Sequence, residues 1–136
     1  MKVPMPNMRE QLRVIHERAT QAAIEQLNAN LNAPVLPGLT DLNEADYSRA
    51  HLLMQGQGWQ APDADIVAAY FRHFQSHFSE YNTDKKLSVL LGLSSDRRVR
   101  EFKSGAKKVP YDVWRKFLIL TGRAPQDVIP VLAFMA

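Results

Sequence analysis

Residues 83–122 read TDKKLSVLLGLSSDRRVREFKSGAKKVPYDVWRKFLILTG, and Gly92 and Gly105 cut this stretch into short helix-length pieces. Such pieces are too short to be stable alone, so they must bury their apolar positions against one another. Thr83 is suited to cap a helix running through Leu91, with Leu87, Leu90 and Leu91 turned inward. Gly92 then stands where a helix C′ residue takes a left-handed conformation that glycine adopts cheaply. Leu93 plugs the core at the turn, and Ser94 or Ser95 caps the next helix. That helix, Asp96 to Lys103, has Val99 and Phe102 as its inward pair, and Gly105 ends it. A third helix, Tyr111 to Thr121, follows Pro110 and contributes Val113, Trp114, Phe117 and Leu118 to the same core.

Elsewhere the periodicity is also helical. Met8, Leu12, Ile15, Ala19 and Ala22 alternate spacings of four and three, which predicts a long amphipathic helix over residues 8–31. Residues 32–40 (NAPVLPGLT) form a connector. Thr40 or Asp41 is expected to cap a helix over Asn43–Gln55, ended by Gly56-Gln57-Gly58. A further helix is predicted from Asp63 to Tyr81, with Asp63 and Asp65 at the positive end of its dipole. Its buried stripe is Ile66, Val67, Tyr70, Phe71, Phe74 and Phe78. No strand, repeat or low-complexity segment is predicted. The expected fold is all-α, with an N-terminal helical region over 1–60 and a second domain over 61–136.

A chain of 136 residues, 46% apolar, has material for one ordinary core and a small extra subdomain. The absence of cysteine excludes disulfides, thiolate metal sites and a cysteine nucleophile. No run approaches the ~18 apolar residues of a membrane span, and the N-terminus has no apolar signal-peptide core. A soluble cytoplasmic protein is therefore expected.

The net charge of +3 is unevenly placed. Residues 1–81 carry 6 Lys/Arg against 9 Asp/Glu, whereas residues 82–136 carry 11 against 5. All eleven of those cations lie between Lys85 and Arg123, so the basic half coincides with the glycine-punctuated helices. At 100° per residue, the face opposite Val99 and Phe102 presents Arg97, Arg100, Glu101 and Ser104. Asp96, Arg98 and Lys103 flank it, and Ala106-Lys107-Lys108 makes a basic loop behind it.

This pattern of apolar helix, Gly-Leu-Ser turn, Val and aromatic three apart, Ser-Gly, basic loop and Val-Pro resembles the lambda-repressor/Cro-like helix-turn-helix family. The resemblance covers roughly residues 63–122. It implies that the first helix of the pair braces on the DNA backbone while the second enters the major groove. The family's base-reading positions fall on Asp96, Arg97 and Arg100, and arginine is the natural bidentate partner of guanine. Its phosphate-contacting role would fall to Ser104. Arg98, Lys103, Lys107 and Lys108, with Lys85 and Lys86 at the start of the bracing helix, would hold the backbone without reading sequence. The chain departs from the pattern in one respect: Gly92 to Val99 spans seven residues, where the family usually has six.

The resemblance implies a DNA-binding transcriptional regulator, a repressor of bacterial or mobile-element origin, acting as a homodimer on a palindromic operator. Residues 1–60 would then be a dimerisation or accessory region. An alternative is a protein-interaction module that keeps the helical pair only as a scaffold. No cofactor is called for. His73 and His77 are four apart on one helix, but no third ligand stands beside them, and His16 and His51 are isolated. No nucleophile elbow or glycine-rich phosphate loop occurs, so enzyme chemistry is not expected. The apolar tail VIPVLAFMA either completes the core or forms a dimer contact.

Overall fold

A computed structural model describes residues 7–135. Among them are five α-helices and no strand: α1 (Met8–Asn30), α2 (Ala64–His77), α3 (Asp84–Leu90), α4 (Asp96–Ser104) and α5 (Tyr111–Leu120). The fold class is all-α. The chain divides into two compact units, one of residues 7–37 with 129–135, the other Gly38–Val128. Residues 38–60, grouped with the N-terminal region on sequence, thus belong to the unit that contains α2–α5.

The larger unit is built around aromatic rings. Ile66, Val67, Tyr70, Phe71 and Phe74 of α2 meet Leu87 of α3, Val99 and Phe102 of α4, and Trp114, Phe117 and Leu118 of α5. Trp114 stacks on Tyr70 and Phe117, with ring centroids 5.6 and 5.5 Å apart, and Phe71 meets Phe117 edge-on at 4.9 Å. Offset and edge-to-face pairs of this kind add about 0.5–1.5 kcal/mol each beyond their area.

Two helix ends share one device. After α3, Gly92 at φ +71° lets its own N–H reach Val89 O (3.2 Å) and that of Leu93 reach Ser88 O (2.8 Å). After α5, Gly122 at φ +70° repeats the pattern on Ile119 (3.1 Å) and Leu118 (2.8 Å). Both are Schellman motifs, which satisfy carbonyls that the helix leaves free.

Two expected helices are shorter or differently wound than periodicity predicts. In place of a helix over Asn43–Gln55 there are three 3-10 turns, Glu44–Asp46, Ala50–Leu52 and Gln55–Gln57. Asn43 Oδ1 accepts from Ala45 N–H and Ser48 Oγ from Ala50 N–H, both at 3.2 Å. These local bonds compete with helical ones. The broken winding lets Tyr47, His51, Leu52 and Trp59 all face the core. Asp41, expected as a cap, instead pairs with Arg72 of α2 at 2.8 Å.

The helix expected to reach Tyr81 ends at His77, followed by a 3-10 turn over Ser79–Tyr81. Phe78 leaves the helical region at φ −123°, ψ 97°. The turn brings the rings of both Phe78 and Tyr81 onto Phe74, at 4.9 and 5.7 Å. Ring packing outweighs the last turn of helix here.

In the smaller unit, α1 begins at Asn7, whose Oδ1 accepts from Glu10 N–H at 2.8 Å. None of its residues is buried. The ring of Phe134, from the tail, sits edge-on to His16 at 4.8 Å. No helix among the described residues is long and apolar enough to cross a membrane.

Candidate nucleic-acid interface

The helical pair α3 and α4 is held from beneath by the core. Thr83 Oγ1 caps α3 by accepting from Lys86 N–H at 3.2 Å, and Leu87 is fully buried. The Schellman turn at Gly92 leads through half-buried Leu93 and exposed Ser94 and Ser95 into α4. Ser95 occupies the N-cap position, but its side chain makes no capping bond. Asp96 supplies that function, because its carboxylate accepts from its own N–H and that of Arg97. The added turn residue is thus absorbed in extended backbone at Ser95, with φ −162° and ψ 162°.

Val99 and Phe102 are 0% and 1% exposed, which fixes the opposite face of α4 outward. Arg97 and Arg100 both lie on that outward face, with side chains 79% and 57% exposed. Each is held by a carboxylate one turn away. Arg100 Nη1 lies 2.9 Å from Asp96 Oδ2, and Arg97 Nε lies 3.5 Å from Glu101 Oε1. The Arg100 guanidinium, and then the backbone bonds, hold the Asp96 carboxyl below the usual carboxylate range. Glu101 also reaches Lys107, at 3.8 Å, while its backbone carbonyl accepts from Lys107 N–H at 3.2 Å.

Glu101 therefore organises the outward face, a role that sequence reading did not give it. The signal was present in its i,i+4 spacing from Arg97. The link to Lys107 depends on the fold of the loop after Gly105, which no local pattern announces. Gly105, at φ +84°, brings that loop against α2: a Cβ there would stand 3.1 Å from Ala64 Cβ.

The cations expected at phosphate separate into two groups. Lys85, Lys86, Lys107 and Lys108 are exposed, as is Ser104. Lys86 Nζ reaches only Asn82 Oδ1, at 3.3 Å. Arg98 is half-buried, with its guanidinium carbon 5.7 Å from the Phe102 ring centroid. Lys103 is different. Its Nζ lies 2.6 Å from Asp84 Oδ1 and 3.3 Å from Gln75 Oε1, and its side chain is 26% exposed. It links α4 to α2 and α3 rather than standing free on the surface.

Two more of the eleven C-terminal cations are engaged structurally. Arg115 is buried and bonds Asp127 through Nε and Nη2, at 3.0 and 2.9 Å. Arg123 lies 4.0 Å above the Tyr70 ring. From Asp84 to Lys108 the count is still eight Lys/Arg against three Asp/Glu, enough to favour an anionic partner. His73 and His77 lie ring to ring at 4.7 Å on α2. Comparison with protein-family models, curated proteins and solved structures gives no match.

Proposed function

We propose that this chain is a sequence-specific DNA-binding transcriptional regulator, a repressor of bacterial or mobile-element origin. In this reading α3 and α4 act as a lambda-repressor-like helix-turn-helix, with α3 bracing on the backbone and α4 entering the major groove. Arg97 and Arg100 read guanine edges, and Asp96 caps α4 and orients Arg100. Lys85, Lys86, Arg98, Ser104, Lys107 and Lys108 contact phosphate, while Lys103 fixes the angle of α4 without touching DNA. The protein acts as a homodimer on a palindromic site.

The observation that carries this reading is the outward pair Arg97 and Arg100, fixed by buried Val99 and Phe102 and ringed by exposed lysines. A helix held in this way offers long, bidentate donors on a rigid support, as base readout requires. The carboxylates of Asp96 and Glu101 hold the two guanidinium groups in the absence of DNA. They exchange those contacts for base edges on binding.

Salt titration of binding to duplex DNA tests the electrostatic half of the proposal. Each neutralised phosphate contributes a slope of about −0.9 in log K against log salt, so five cations per protomer give about −4.5. A slope near zero would exclude backbone contacts of this kind.

A further inference from the structure

Among the described residues, the unit formed by 7–37 and 129–135 has no core of its own. Only Leu12 is even partly shielded; every other residue is exposed. Apart from Leu53, Met54, Val89, Leu120 and Val128, all the exposed large apolar side chains lie in this unit. Most of a protein helix's stability comes from packing an apolar face. In α1, about 34 Å long from its 23 residues, that face is uncovered.

The stripe on α1 continues its alternating spacing through Leu12, Ile15, Ala19, Ala22, Gln26 and Ala29. Its centre is small, so another helix can approach closely there. On one flank His16 receives Phe134. On the other lie Arg18 and Glu25, seven residues apart, opposite in charge and both exposed. Neither makes an ion pair or a side-chain hydrogen bond among the described residues. With Ala22, Glu17 and Gln21 they line a shallow groove of about 470 Å³.

We propose that this groove and stripe receive α1 of a second copy of the chain, in antiparallel orientation. With Ala19 facing Ala22 of the second copy, Leu12 faces Ala29 and Ile15 faces Gln26. Arg18 of each copy then stands beside Glu25 of the other, giving two symmetric ion pairs. A parallel pair leaves both charges unmatched, because its flanking contacts set Arg18 against Ala23 and Glu25 against Asn30. The six ionised groups of α1 are three Arg and three Glu, so two copies carry no net repulsion. The inference rests on the homodimer in the proposed function and is independent of DNA recognition.

Sedimentation velocity on the full chain, with charge-reversed variants, tests the pairing. The wild type is expected to form a reversible dimer. Arg18→Glu and Glu25→Arg should each weaken association by about tenfold, and the double variant should restore it. Far-UV circular dichroism should stay unchanged throughout. Because the chain has no cysteine, Leu12→Cys and Ala29→Cys report orientation. The two variants mixed should form a disulfide between positions 12 and 29, and neither alone should cross-link. A chain that stays monomeric, a double variant as weak as the singles, or self-cross-linking of each cysteine variant would overturn the proposal. A dimer that binds no DNA would instead count against the functional reading and leave this one standing.

Discussion

Lys103 Nζ lies 2.6 Å from Asp84 Oδ1, joining the last turn of α4 to the first turn of α3. Gln75 of α2 closes the triangle, donating to Asp84 Oδ1 and accepting from Lys103, both at 3.3 Å. A lysine that reads as part of a basic DNA-facing cluster is thus a clamp among three helices. Its charge sets where α4 points, and the exposed arginines on α4 inherit that direction.

Lys103→Met should therefore differ from substitutions at the exposed lysines. Loss of this partly shielded pair should cost about 1 kcal/mol, seen as a fall of several degrees in melting temperature. DNA affinity should drop, but the salt slope should match the wild type. A slope shallower by about 1 would mean that Lys103 touches phosphate after all.

Glu101→Gln removes the carboxylate that holds Arg97 at 3.5 Å and Lys107 at 3.8 Å. Two cations are freed and the net charge rises by one. Binding to DNA of arbitrary sequence should tighten several-fold at low salt, with little change in thermal stability. Fluorescence anisotropy on a scrambled duplex measures this, and weaker binding would show that Glu101 is needed to position its partners.

His51 provides a pH dependence unrelated to DNA. It is 3% exposed, and its Nδ1 accepts from Trp114 Nε1–H at 3.1 Å. Its backbone oxygen accepts from Trp59 Nε1–H, also at 3.1 Å. Burial, then the Arg49 charge, lowers its pKa to about 4, while Glu44 opposes that shift. The folded pKa lies below the unfolded value of about 6.5. Its stabilisation is therefore complete above that value and fades as pH falls toward 4. The loss should approach about 3 kcal/mol. Denaturant unfolding from pH 7 to 4 should show it, and His51→Asn, which keeps an acceptor, should flatten the profile over that range.

Gly92 and Gly105 share a left-handed backbone but differ in surroundings. A Cβ at Gly92 meets nothing within 4 Å, whereas one at Gly105 stands 3.1 Å from Ala64 Cβ. Gly92→Ala should cost about 1 kcal/mol for the backbone alone. Gly105→Ala should cost more, because α2 and the end of α4 must also separate. Equal losses in paired unfolding curves would contradict the close approach.

Local chemistry made much of the fold legible in the sequence. The Val99–Phe102 spacing, the Thr83 cap and the Gly92 turn each depend on residues within a few positions, and all appear as expected. The 43–55 segment did not, since its leucines and alanines suit a helix while Asn43 and Ser48 draw backbone N–H groups away. Long-range pairs leave no local trace. Trp114 and His51 are 63 residues apart, and Asp41 and Arg72 are 31 apart. His51, isolated in the sequence, sits among aromatic rings in the fold. At the candidate interface, exposed Arg97 and Arg100 followed from periodicity. The inward pull on Lys103 did not, because it requires knowing that α3 and α4 meet at that corner.

Selection from a random pool of duplex oligonucleotides, run with wild type and Arg97→Ala, tests the central claim most directly. The wild type should enrich a two-fold symmetric motif containing guanine in each half-site. Arg97→Ala should lose preference at one position per half-site, worth about 1–3 kcal/mol, while Lys107→Ala keeps the motif and binds every site more weakly. A pool that emerges unenriched, or a motif that survives Arg97→Ala unchanged, would contradict base reading by α4.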